Sequence, residues 1–329
     1  MDVAEAARVF TDPKAYADEK RLHAACALLR REAPVARVEA RGFDPFWAVT
    51  RHEDVMEIAR HPERWRNGPR PALGPRRRDA ADMPVRTLVQ MDAPDHTVYR
   101  NVSSGWFKPK SIARLGERAD ELARRYVDRM TALGGECDFV TDVAVHYPLY
   151  VILSLLGLPE EDFPRMLKLT QELFGTVDPE LGGGADLMAT LLDFFEYFQK
   201  LTESRRAHPT DDLGSVIANA EVDGKPIGIL EAVGYYVLIA TAGHDTTSSA
   251  IAGGLHALIE HPGELRRLQA EPSLVPSAVE EMIRWVSPVK QFMRTATEDS
   301  VVRGVRIPAG DAVLLSYPSA NRDEEVFDR

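Results

Sequence analysis

Residues 227–260 constrain this chain more than any other stretch, because they are apolar on both sides of a polar centre. "ILEAVGYYVLI" (229–239) leads into "ATAGHDTTSSA" (240–250), and "IAGGLHALIEH" (251–261) follows. A helix that is apolar around most of its circumference belongs in the interior of a larger body. As a single helix the stretch would run for roughly 50 Å. An unpaired carboxylate in such surroundings costs several kcal/mol, so either the helix breaks at the centre or the cluster has a task. Gly243 weakens the helix and lets another group approach the backbone closely. Thr246 can turn its hydroxyl onto a carbonyl one turn back, a local bond that bends helices. Asp245 supplies a carboxylate beside that hydroxyl. An acid and an alcohol in one notch can deliver protons to a ligand in a dry site. The competing reading is that Asp245 caps a shorter helix beginning at Thr246.

Elsewhere helical periodicity dominates. Helices are predicted over 22–31, 52–62, 94–107, 111–133, 139–157, 160–176, 186–207 and 277–288. Alternating apolar residues around Gly42, Asp44 and Pro45 predict a hairpin over 35–50. Asp223-Gly224 marks the tip of a tight turn at 221–227, and 294–318 alternates as strands do. The expected fold class is mainly α, a helical body with a small β-sheet region built from the two ends of the chain, as one domain over 1–329. The loop at 66–93 is long enough to be functional or disordered. Its arginines, in "RWRNGPRPALGPRRR" (64–78), read as a solvated surface.

Composition narrows the functional classes. A net charge of −11 argues against general nucleic-acid binding. The two cysteines, Cys26 and Cys137, are too few for a disulfide framework or a cysteine-based zinc site. No apolar run reaches the length of a membrane span, and the charged N-terminus has no signal-peptide core, so a cytoplasmic location is the default expectation.

Three further constellations carry chemistry. Glu281 and Arg284, three apart in "EEMIR", share a helix face and can pair. His96 and Arg100, four apart in "MDAPDHTVYR", can donate to one anionic group. Arg294 in "FMRTATED" opens a strand just past the Glu281/Arg284 helix. Each alone is a common surface pattern; their order in one chain is not.

Taken together, "AGHDTT", "EEMIR", "APDHTVYR" and "SPVKQFMRTATEDSVVRGVRIPAGDAVLLSYPSANRDEEVF" resemble the cytochrome P450 family of haem-thiolate monooxygenases over nearly the whole chain. "ATAGHDTTSS", "MRTA" and "LSYPSANRDEEVF" are similar to the soluble bacterial type, nearest to its terpineol-hydroxylating member. The resemblance implies a triangular helical fold, haem b (iron protoporphyrin IX) as cofactor and O2 as co-substrate. It implies that His96, Arg100 and Arg294 pair with the haem propionates, and that Ala242 and Gly243 open the groove for dioxygen. Thr246 would hydrogen-bond the bound oxygen and Asp245 would relay protons. Glu281 and Arg284 would form a structural ion pair, joined by an arginine expected beyond residue 329. Leu238, Thr241 and Val289 would face a compact apolar, terpenoid-like substrate. The 66–93 loop and the 160–207 helices would form a lid jointed at Gly182, Gly183 and Gly184. A ferredoxin with its NAD(P)H-dependent reductase would supply electrons, with neither nucleic acid nor membrane as a partner.

One departure qualifies this. The family's axial cysteine lies in an F-x-x-G-x-x-x-C-x-G loop, and neither Cys26 nor Cys137 matches it, so both read as ordinary small residues. No metal ligand is therefore assigned; the axial cysteine is expected beyond Arg329. The sequence then reads as roughly the first three quarters of such an enzyme, inactive as it stands. The alternative is a truncated, non-catalytic paralogue that binds an apolar ligand or partner. A metal-dependent phosphohydrolase built on His244 and Asp245 would need further ligands, and His256 and His261 fall on other helix faces.

Overall fold

Val35–Val38 pairs antiparallel with Phe46–Val49, as the alternation at 35–50 predicts. In the computed structural model, residues 1–74, 76, 86–174 and 187–328 are described. The glycine joint at 182–184 and most of the 75–85 segment lie outside them. The chain divides into two compact units, one of Met1–Asp82, Val89–Asp92 and Ala257–Arg329, the other of Met83–Leu88 and Ala93–His256.

The first unit holds a five-stranded sheet in the order Val35–Val38, Phe46–Val49, Ala312–Ser316, Gln291–Ala296, Trp65–Arg66. It is made from the two ends of the chain, as expected. Phe46–Val49 runs parallel to Ala312–Ser316, with Trp47 opposite Val313. Four successive buried residues in "AVLLS" fit a strand covered on both faces. Met293 and Leu314 pack with Ala25, Cys26 and Leu29 of the Glu19–Glu32 helix. Val313 and Leu315 face the other way, toward Val55 and Ile58 of the His52–Arg60 helix.

The second unit is helical around Leu149, Leu153, Phe163, Met166, Phe194, Phe198 and Tyr236. Phe198 stacks on Tyr236 at 5.1 Å, whose hydroxyl donates to the Gly214 carbonyl at 2.8 Å. Asp223 (φ 52°) and Gly224 (φ 73°) form the tight turn between Glu221–Val222 and Lys225–Pro226.

Several helices differ from expectation. The 94–107 stretch is an α-helix only over Asp95–Ser103, tightening to a 3₁₀ turn at Ser104–Phe107. The 139–157 stretch opens with a π turn at Val140–Ala144 before the His146–Leu155 helix. Short helices at Leu213–Ala218 and Pro262–Ala270 have too few residues to show a period. The first starts at a cap, where Asp212 accepts from the Ser215 amide at 2.6 Å. Most consequential, 227–260 is not one helix: Ile229–Ala242 stops and Asp245–Glu260 begins after Gly243 and His244. Among the described residues no helix is long and apolar enough to cross a membrane.

Candidate active site

The interruption lies against the His146–Leu155 helix. His244 is 1% exposed. Its Nε2 lies 2.7 Å from the Val145 carbonyl; a carbonyl only accepts, so Nε2 carries the hydrogen. Nδ1 is left with a lone pair facing Thr170 Oγ1 at 3.4 Å and Asp245 Oδ1 at 3.8 Å. At Gly243 a Cβ would stand 2.7 Å from Cγ1 and 2.8 Å from Cδ1 of Ile152. The group that approaches the Gly243 backbone is thus a neighbouring side chain. Both contacts come from one stretch, since Val145 and Ile152 are separated by two turns of helix.

Beside the interruption stand the acid and the alcohol. Thr246 Oγ1 donates to the Ala242 carbonyl at 2.8 Å, the backward bond its position predicts. With its hydrogen committed there, the hydroxyl offers lone pairs to anything beyond it. Ala242 is exposed and Gly243 half-buried. Asp245 is half-exposed, and burial of part of the carboxyl raises its pKa, with the charge of His244 opposing. Burial lowers the imidazole of His244, with Asp245 and the Val145 carbonyl opposing. A neutral imidazole therefore adjoins a carboxyl that keeps its proton more readily than usual.

Three cations could partner an anionic cofactor. Half-buried His96 and exposed Arg100 have no hydrogen-bond or ion-pair partner among the described residues. Arg100 borders a cavity of about 460 Å³ with Ser103, Tyr235 and Ile239. In the other unit, half-buried Arg294 donates from Nη1 to the Met293 carbonyl at 2.8 Å and has no carboxylate partner among the described residues. Such uncommitted donors suit carboxylates, so each of the three, within its own unit, has the chemistry to hold an anionic group such as a haem propionate. The cysteines do not supply the iron ligand. Cys26 is fully buried and burial pushes its thiol up to about 11; Cys137 is exposed at the surface. Among the described residues no three His, Cys, Asp or Glu side chains gather as a metal site.

Glu281 and Arg284 pair as their spacing predicts. Arg284 Nε donates to Glu281 Oε2 at 2.7 Å and Nη2 to Oε1 at 2.5 Å. Nη1 donates to the Asn321 carbonyl, and the guanidinium lies 4.8 Å from the Phe327 ring centroid. The Arg284 hydrogen bonds hold the Glu281 carboxyl below its ordinary value, and the charge of Arg322 adds to this. Arg322 itself lies over Trp285 at 4.7 Å, so an arginine stands near the pair before residue 329.

Of the expected substrate contacts, Leu238 and Val289 are half-buried, in different units. Thr241 is buried and its hydroxyl is committed to the Val237 carbonyl at 2.7 Å. Sequence reasoning missed Tyr235, which is bonded to Ser103 at 2.7 Å. A tyrosine in so apolar a helix was a signal for a polar partner. It also missed Val145, Ile152 and Thr170, for which no local signal exists.

A family model described as Cytochrome P450 matches residues 14–329, through both units. The chain is 42% identical to "Cytochrome P450-terp" of Pseudomonas sp, over 98% of this chain and 80% of that one. It is 36% identical to a "Methyl-branched lipid omega-hydroxylase" of Mycobacterium tuberculosis, over 92% of this chain and 73% of the relative. A Mycobacterium marinum cytochrome P450 solved in complex with pseudoionone superposes with a TM-score of 0.88 at 30% identity, covering 98% of this chain and 80% of that one.

Proposed function

The chain belongs to the cytochrome P450 family of monooxygenases, and from that premise we propose that it hydroxylates a compact apolar, terpenoid-like substrate with O2 and electrons from a ferredoxin. Bound haem supplies the oxygen chemistry, placing one atom of O2 in a C–H bond and reducing the other to water. His96, Arg100 and Arg294 are assigned to its propionates, and Ala242 and Gly243 to the dioxygen groove. Thr246 accepts a hydrogen bond from the ligand side, because its own hydrogen is turned onto the Ala242 carbonyl. Asp245, with its pKa raised by burial, holds and passes on protons, two of which the reaction consumes for each oxygen molecule reduced. Leu238, Thr241 and Val289 are assigned to the substrate by their positions in the sequence.

The observation that carries this reading is the interruption at Gly243–His244, which sets Asp245 and Thr246 together beside a half-buried backbone. The substrate class leans on the 42% identity to the P450-terp relative and on the pseudoionone complex of another. The electron source is a separate ferredoxin with an NAD(P)H-dependent reductase, and the location the cytoplasm.

The test is coupling in the haem-loaded enzyme. Thr246→Ala is expected to consume electrons while releasing hydrogen peroxide or water in place of hydroxylated product. Full coupling in that variant would remove Thr246 from the mechanism. Asp245→Asn is expected to turn over more slowly with substrate affinity retained; unchanged turnover would remove Asp245 from the relay.

A further inference from the structure

We propose that His244 is a positioning residue: by donating from Nε2 to the Val145 carbonyl it fixes where the long helix is interrupted, and so where Thr246 and Asp245 point. The inference rests on the oxygen-side role given to Thr246 above.

Gly243 weakens the helix at this point without fixing where it stops. The Thr246 bond to Ala242 does not suffice, because Thr241 makes the same kind of bond to Val237, at 2.7 Å, within the unbroken Ile229–Ala242 helix. The Gly243 backbone is ordinary, at φ −79° and ψ −16°, so no residue-specific conformation forces the break. What distinguishes these positions is lateral anchoring. Ile152 occupies the space a Cβ at Gly243 would need, and the next residue sends a buried imidazole to Val145 at 2.7 Å.

The anchor reaches the following helix through the backbone. The Ser248 amide donates to the His244 carbonyl at 2.9 Å, so the first turn carrying Asp245 and Thr246 hangs from the anchored residue. The Ser248 hydroxyl is buried and has no partner among the described residues, so the side chain adds no second tie there. The bond to the Val145 carbonyl, which can only accept, is what keeps the ring in the Nε2–H tautomer.

His244→Leu removes the donor while roughly keeping the volume, and His244→Gln keeps an N–H of similar reach. Amide hydrogen exchange on the purified variants reads the anchor without turnover. In the leucine variant, exchange at 245–248 is expected to accelerate about tenfold or more, with 232–238 unchanged. Coupling in the haem-loaded enzyme is expected to fall with substrate affinity retained, and glutamine to restore most of both. Unchanged exchange at 245–248, acceleration throughout the unit, or a glutamine variant no better than leucine would overturn the proposal. Should the leucine variant not fold, nitrogen-15 NMR of unsubstituted His244 decides. Hydrogen on Nε2 supports the anchor and hydrogen on Nδ1 refutes it. Full coupling in Thr246→Ala would instead sink the role of Thr246, leaving the exchange and tautomer results to stand separately.

Discussion

Adding one methyl group at Gly243 tests how the interruption is packed. An alanine Cβ would lie 2.7 Å from Ile152 Cγ1, 2.8 Å from Cδ1 and 3.3 Å from Cβ, against an optimum of about 3.5–4.0 Å between carbons. Ile152 cannot swing clear: a β-branched side chain in a helix has essentially one χ1 rotamer, and its own Cβ is already too near. Overpacking of this kind costs about 1–3 kcal/mol. Against that, alanine restricts the unfolded chain and gains about 0.5–1 kcal/mol at a compatible φ. The balance is a loss of about 0–2.5 kcal/mol, centred near 1, which in a chain of this size lowers Tm by a few degrees. The assay is urea and thermal unfolding of Gly243→Ala, Ile152→Ala and the double variant. In the double variant the new methyl enters space vacated by isoleucine, so the two effects should be non-additive by about 1–2 kcal/mol. A Gly243→Ala protein more stable than its parent, or strictly additive effects, would refute the packing described here.

Arg284→Lys keeps the charge but loses the two-pronged contact to Glu281 and the bond to the Asn321 carbonyl. A stability loss of about 1–3 kcal/mol is expected in thermal unfolding, and an unchanged Tm would deny the pair its structural role. Burial lowers His23 to about 4, and lowers His146 and His244 below their ordinary 6.5. Below that ordinary value the unfolded chain binds more protons than the folded one, so this contribution is intact above about pH 6.5 and is lost as the pH falls toward about 4. Tm should therefore drop between about pH 7 and pH 5; a flat profile would count against burial of these imidazoles.

Features set by neighbours in sequence were legible from the sequence alone. The Glu281–Arg284 pair needed only three-residue spacing on one helix, the turn at Asp223-Gly224 only residues that accept positive φ, and the 35–50 hairpin only alternation about a turn. The backward bond of Thr246 is likewise intrinsic to a threonine within a helix. Family membership was legible too, because the motifs that carry it are short and local. Short helices escaped notice because a cap such as Asp212, rather than a period, begins them.

Tertiary structure decided what depends on distant partners. In "AGHDTT" the helix could have ended at any of several positions; it ends at Gly243–His244, where the neighbouring helix presents the Val145 carbonyl and Ile152. The bond from His244 to Val145 spans 99 residues and the contact with Thr170 spans 74, beyond the reach of any local pattern. The parallel register of Phe46–Val49 on Ala312–Ser316 was equally hidden, since alternation shows which face of a strand is apolar but not which distant strand it meets. Composition and spacing therefore determined which residues could do chemistry, and packing across the chain decided where the backbone would present them.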